Sequence, residues 1–86
     1  MRLPRPHRLL IVDDQPDICR LMTRTLESEG YVCRSTTDSG AARELLGQGG
    51  VDLLVADITM PGIDGLELLA AAREAKPGCR VILITG

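Results

Sequence analysis

Leu9-Leu10-Ile11-Val12-Asp13-Asp14-Gln15-Pro16 decides how the chain is read: four aliphatic residues in a row, two carboxylates, then a proline. An apolar run without alternation suits a strand covered on both faces, as in a parallel sheet. The carboxylates end the strand, and Pro16 suits the first turn of a helix, where its missing N–H costs nothing. Ile18, Leu21, Met22 and Leu26 then mark one helical face, and Gly30 supplies a left-handed stop. Downstream the pattern recurs. Tyr31 to Ser35 reads as a second strand, and Asp38 as the N-cap of a helix burying Ala41, Ala42, Leu45 and Leu46 before Gly47, Gly49 and Gly50 break it. Val51 to Ala56 reads as a third strand ending at Asp57. Ile58 to Gly65 follows as a loop, with Pro61 and Gly62. Asp64 caps a third helix with Leu66, Leu69 and Ala72 inward and Pro77-Gly78 beyond its end. Arg80 to Ile84 is a fourth strand, followed by Thr85 and Gly86. Upstream, residues 1–7 form a flexible arm carrying Arg2, Arg5, Pro4, Pro6 and the single histidine, His7, leaving residues 8–86 as one domain. Strands alternating with helices through short loops make βαβ units, hence a doubly wound α/β fold with a parallel sheet.

Composition narrows the function. Of 86 residues 44% are apolar and 26% charged, which suits one small globular domain with an aliphatic core. No apolar run approaches the length of a membrane span, and no apolar segment follows the basic N-terminus as a signal peptide requires. The net charge of −2 argues against binding a phosphate backbone, and the single aromatic residue, Tyr31, excludes base-stacking platforms. Cys19, Cys33 and Cys79 lie far apart and form no CxxC pair, so they read as reduced thiols in a cytoplasmic protein. No zinc-ligand spacing occurs.

The polar residues carry the chemistry. Asp13 and Asp14 end the first strand, Asp57 the third, and Thr85 the fourth. In a parallel sheet these ends share one edge, where ligands bind. Three converging carboxylates repel one another, and a hard cation neutralises them. An oxygen-only donor set with room for water suits Mg²⁺. No G-x-x-x-x-G-K-[ST] loop is present, and no serine or cysteine is paired with a histidine. The nucleophile left is a carboxylate, able to form an aspartyl-phosphate, with the Thr85 hydroxyl and backbone N–H groups holding the phosphoryl oxygens.

Three runs carry a family resemblance: L-L-I-V-D-D-Q-P from Leu9, D-L-L-V-A-D-I-T-M-P-G-I-D-G-L-E-L-L from Asp52, and V-I-L-I-T-G from Val81. Together they resemble the receiver domain of bacterial two-component response regulators, over Arg8 to Gly86. The resemblance implies a flavodoxin-like receiver fold of strand order 2-1-3-4-5. It implies a phosphoacceptor signalling module, not an independent enzyme, that takes a phosphoryl group onto Asp57 from a sensor histidine kinase or phosphotransfer protein. Asp13, Asp14, Asp57 and the backbone carbonyl of Thr59 would hold Mg²⁺, Thr85 would bind the phosphoryl group, and the small Gly86 would leave the site open.

The sequence also departs from the family pattern, which runs on through helix four, strand five and helix five. Here the elements stop at (βα)3β. The lysine that precedes strand five is absent, and Lys76 lies at the wrong edge of the sheet. The expectation is therefore an incomplete receiver whose strand four offers an open edge for self-association. The alternative function is an assembly fragment that keeps the receiver surface without productive phosphorylation. A dehalogenase-like phosphatase would need D-x-D-G-T where this chain has D-D-Q-P. Asp17 reads as a helix first-turn acid, and Met22 and Met60 as packing residues.

Overall fold

The computed structural model describes residues 7–57, 65–75 and 79–84. Seven elements follow in order: β1 (Arg8–Val12), α1 (Pro16–Ser28), β2 (Val32–Thr36), α2 (Ser39–Gly47), β3 (Leu53–Asp57), α3 (Gly65–Ala75) and β4 (Arg80–Ile84). All neighbouring strands are parallel, in the order β2-β1-β3-β4. β1 is central, and Leu9 to Val12 are all buried, as an unbroken aliphatic run requires. β2 lies at an edge, and its mixed sequence Val-Cys-Arg-Ser-Thr suits a strand with one flank in water.

The core has two sides. Leu10, Val12, Leu54 and Ala56 pack beneath α2 and α3 against Ala42, Leu46, Leu68 and Ala72. On the other face Ile11 and Val55 meet Cys19 of α1, with Met22, Leu26, Cys33, Leu53 and Ile84 partly buried around them. Leu10, Ile11, Leu46, Leu54, Leu68 and Val12 are the largest fully buried side chains, each worth about 1.5–3 kcal/mol over exposure.

The local signals act as their chemistry predicts. Gly30 adopts φ 97°, and its N–H and that of Tyr31 donate back to the carbonyls of Glu27 and Leu26, at 3.0 and 3.2 Å. This is a Schellman ending, which a residue with a Cβ would strain. The Asp38 carboxylate accepts the Gly40 N–H at 3.0 Å and caps α2. Asp52 ties three strand starts together. Its carboxylate and its N–H pair with the N–H and carbonyl of Arg8, both at 2.8 Å, while its carbonyl accepts the Arg80 N–H at 3.0 Å.

Several expectations are corrected. β2 begins and ends one residue later than read, and β3 starts at Leu53 because the Asp52 tie precedes it. Leu21 is 61% exposed, and Cys19 occupies the buried position. Two residues at about 100° each place Leu21 roughly 200° round the helix from Cys19. The same rotation explains α3, where Leu68 is fully buried and Leu66 is 58% exposed. Ala41 and Leu45 are half-buried beside the fully buried Ala42 and Leu46. On the α1 side of β4, Ile82 is 51% exposed. Among the described residues no helix is long and apolar enough to cross a membrane. The N-terminal arm other than His7, the Asp64 cap, Met60, Pro61, Gly62, Lys76 and the Pro77-Gly78 stop lie outside the described residues.

None of the three cysteines is in a disulfide; Cys19 and Cys79 are buried and Cys33 is half-buried. Burial pushes the Cys19 and Cys33 thiols up, so little thiolate is present at neutral pH. Brief exposure of the folded chain to iodoacetamide, read by mass spectrometry, should therefore modify Cys33 first and slowly. Cys19 and Cys79 should react only on unfolding. Early modification of Cys19 would contradict the packing of α1.

Candidate metal and phosphoryl site

Parallel pairing of β1 with β3 builds the site. Val12 lies opposite Ala56, so the next residue of each chain segment, Asp13 and Asp57, emerges at the same carboxyl edge of the sheet. Asp14 follows in the turn that leads into α1. One carboxylate oxygen from each of Asp13, Asp14 and Asp57 lies within 4.8 Å of the others. Asp13 is buried, Asp57 half-buried and Asp14 exposed. Two like unit charges about 5 Å apart repel by roughly 3 kcal/mol at an effective dielectric of 20, and less where water screens them, as at Asp14. The fold holds the acids together against that repulsion, which is a preformed demand for positive charge.

The turn is fixed by its own hydrogen bonds. The Gln15 N–H donates to Asp13 Oδ1 at 2.9 Å, an Asx-type closure that orients the carboxylate. The Asp13 N–H donates to the Thr36 carbonyl at 3.3 Å, continuing the β1–β2 ladder one residue further. The N–H groups of Ile18 and Cys19 both close on the Gln15 carbonyl, at 3.1 and 3.2 Å, starting α1 behind Pro16. The Cys19 Sγ then lies 3.4 Å from the Asp13 carbonyl oxygen and 3.7 Å from that of Thr36. Burial pushes this thiol up, so it stays protonated and able to donate.

Of the residues singled out from sequence, Asp13, Asp14 and Asp57 are brought together. Thr59, Thr85 and Gly86 lie outside the described residues. Asp17 pairs with Arg20 on the surface of α1, away from the acid cluster. Two contributors went unread: the Gln15 N–H and the Cys19 thiol. An aspartate two residues before an N–H that opens a helix is a signal for the first. Nothing in sequence distinguishes the second from a small core residue.

The donor set fits a hard divalent cation. It is oxygen-only, it combines a buried and an exposed carboxylate, and its Asp14 side opens to water.

Comparison with known proteins agrees with this geometry. A sequence model of the response regulator receiver domain matches residues 9–86. The transcriptional regulatory protein GlrR of Escherichia coli (strain K12) is 35% identical over 81 residues, covering 94% of this chain and 18% of GlrR. The receiver protein CpdR of Brucella abortus is 35% identical over 79 residues, covering 92% of this chain and 66% of CpdR. This chain thus spans less than a fifth of GlrR and about two thirds of CpdR. Among solved structures, a CheY-like receiver domain protein from Methanospirillum hungatei JF-1 superposes with TM-score 0.88 at 33% identity, covering 94% of this chain and 65% of that one. The response regulator TrrA of Thermotoga maritima, solved in complex with Mg(2+)-BeF, gives TM-score 0.83 at 38% identity, covering 92% and 69%. With its strand order, its acid cluster and a match over nearly its whole length, the chain belongs to the response regulator receiver domain family, the phosphoaccepting signalling module of two-component systems.

Proposed function

We propose that Asp57 is the phosphoryl acceptor, and that Asp13, Asp14, Asp57 and the Thr59 carbonyl hold the Mg²⁺ the reaction needs. The observation that carries this reading is the convergence of the three carboxylates at the sheet's carboxyl edge, within 4.8 Å. A carboxylate oxygen of Asp57 attacks phosphorus, and the bond from phosphorus to the donor breaks. When the donor is a phosphohistidine that bond is P–N, and its electron pair returns to the imidazole nitrogen. Mg²⁺, when bound, supplies charge neutralisation for the phosphoryl oxygens. Asp13, oriented by the Gln15 N–H, and the water-facing Asp14 bind that ion, while Thr85 receives a phosphoryl oxygen through its hydroxyl. The donor is a sensor histidine kinase or a phosphotransfer protein. TrrA, 38% identical to this chain, has been solved in complex with the histidine kinase ThkA, which supports that partner class. Three cysteines without a disulfide support a reducing compartment, the cytoplasm. The unit concerned is residues 8–86.

The reading is tested by thermal melting. Millimolar Mg²⁺ should raise the melting temperature relative to a chelator by mass action. Asp14→Ala should remove most of that shift while leaving the melt in chelator little changed, because Asp14 is exposed. Equal melts of the parent chain with Mg²⁺ and with chelator would refute the metal reading.

The proposal extends to self-association of the 86-residue chain through β4. Among the described residues β4 ends the sheet, and its Ile82 is 51% exposed. Such an edge is a template for pairing, and two-fold pairing is the commonest closed arrangement. Sedimentation equilibrium at micromolar concentration should give a dimer, and Ile82→Lys should shift it to monomer. A folded monomer of the parent chain would overturn the idea. A reading as an assembly module without phosphoryl transfer is not favoured, since such a module has no need of the clustered acids.

A further inference from the structure

The turn from β1 into α1 has to do two things at once. It must end a buried strand without orphaning backbone groups, and it must hold two adjacent carboxylates toward a third. Three main-chain contacts serve the first need: Asp13 N–H to the Thr36 carbonyl, and the Ile18 and Cys19 N–H groups to the Gln15 carbonyl. The Asp13 carbonyl meets α1 at Cys19. The group that reaches it is the Cys19 thiol, at 3.4 Å, with the Thr36 carbonyl at 3.7 Å from the same sulfur. Cys19 is 4% exposed and packs against Ile11 and Val55, so its Sγ has little freedom to leave. The sulfur is thus a single point touching the ends of β1 and β2 from the first turn of α1.

We propose that Cys19 is a positioning residue for the metal-binding acids: its thiol, seated between the Asp13 and Thr36 carbonyls, fixes the backbone from which the Asp13 and Asp14 carboxylates project. The inference rests on the proposed role of those acids as Mg²⁺ ligands. Groups that orient metal ligands govern affinity without touching the ion, because a ligand free to swing must be ordered on binding. A small core hydrophobe at this position would fill the same space without offering the Asp13 carbonyl this donor.

Titration calorimetry of magnesium chloride into the folded chain separates the two roles. Three variants are compared with the parent at a temperature where circular dichroism in chelator shows each folded. Cys19→Ala removes the sulfur. Cys19→Val fills the space without a donor, so one donor-free variant remains if the other unfolds. Cys19→Ser keeps a donor. The donor-free variants should raise the Mg²⁺ dissociation constant about tenfold, the low end for loss of an outer partner, and Ser should return it to within about twofold. A folded Ala or Val variant that binds like the parent would overturn the proposal, as would a Ser variant as weak as Ala. Absence of binding by the parent itself would instead remove the metal reading, and this inference with it.

Discussion

Replacing Asp57 with Asn should reduce acid-labile phosphoryl labelling of the chain to background, with a small phosphodonor and with a kinase alike. The amide nitrogen of Asn is not nucleophilic and its oxygen carries no formal charge, so the proposed attacking group is lost while the shape is kept. Asp57 lies at the end of β3 and is half-buried, and the strand that carries it is held on both sides by β1 and β4. The fold should survive the change. Removing one of three crowded carboxylates also relieves like-charge repulsion, so the variant should melt no lower than the parent in chelator. Labelling measured by radioactive phosphate, quenched in acid and in base, checks both yield and acyl-phosphate chemistry. Survival of label in Asp57→Asn would move the acceptor to another acid, and Asp13 or Asp14 would be the first to examine.

The largest stability effect should come from Leu54→Ala. Leu54 is fully buried in β3, in the cluster that contains Leu10, Ala42 and Leu68. Truncation should cost about 2–5 kcal/mol, the loss of transfer energy plus the cavity left behind. Against the roughly 5–15 kcal/mol that holds a native domain folded, this is a large share. Urea unfolding should show a lowered midpoint with little change in slope. Leu21→Ala is the contrast. At 61% exposure it should shift stability by no more than about 0.5 kcal/mol. If the two leucines cost the same, the orientation of α1 described above is wrong.

These two leucines also show where sequence reading succeeds and where it stops. β1 is legible because four consecutive aliphatic residues have no exposed face to offer. Gly30 and Asp38 are legible because a left-handed residue and a cap act on their nearest neighbours alone. The buried stripes of α1 and α3 are not, because each helix has more apolar residues than one stripe can hold. Leu66, Leu68 and Leu69 satisfy several helical faces about equally, and only packing against the sheet selects Leu68. Sequence cannot choose Cys19 over Leu21 for the same reason, and in the fold the smaller residue packs with Ile11 and Val55. The site follows a similar division. The three acids were legible because parallel strands must present their carboxyl ends together. The Gln15 N–H and the Cys19 thiol were not, since their roles depend on the path of the backbone through one turn.

The in-register pairing of β1 with β3 has a consequence for motion. Asp13 and Asp57 are remote in the chain, and no hairpin, single helix or βα unit contains both. The acid cluster exists only in conformers where β1 and β3 are joined, so any fluctuation that parts these strands also dissolves the proposed cation site. A bound ion should thus slow amide hydrogen exchange wherever exchange requires that parting, at Leu10 to Val12 and at Leu54 to Ala56. Exchange through fraying at the Gly30 end of α1, remote from the acids, should proceed at the same rate with the ion as without it.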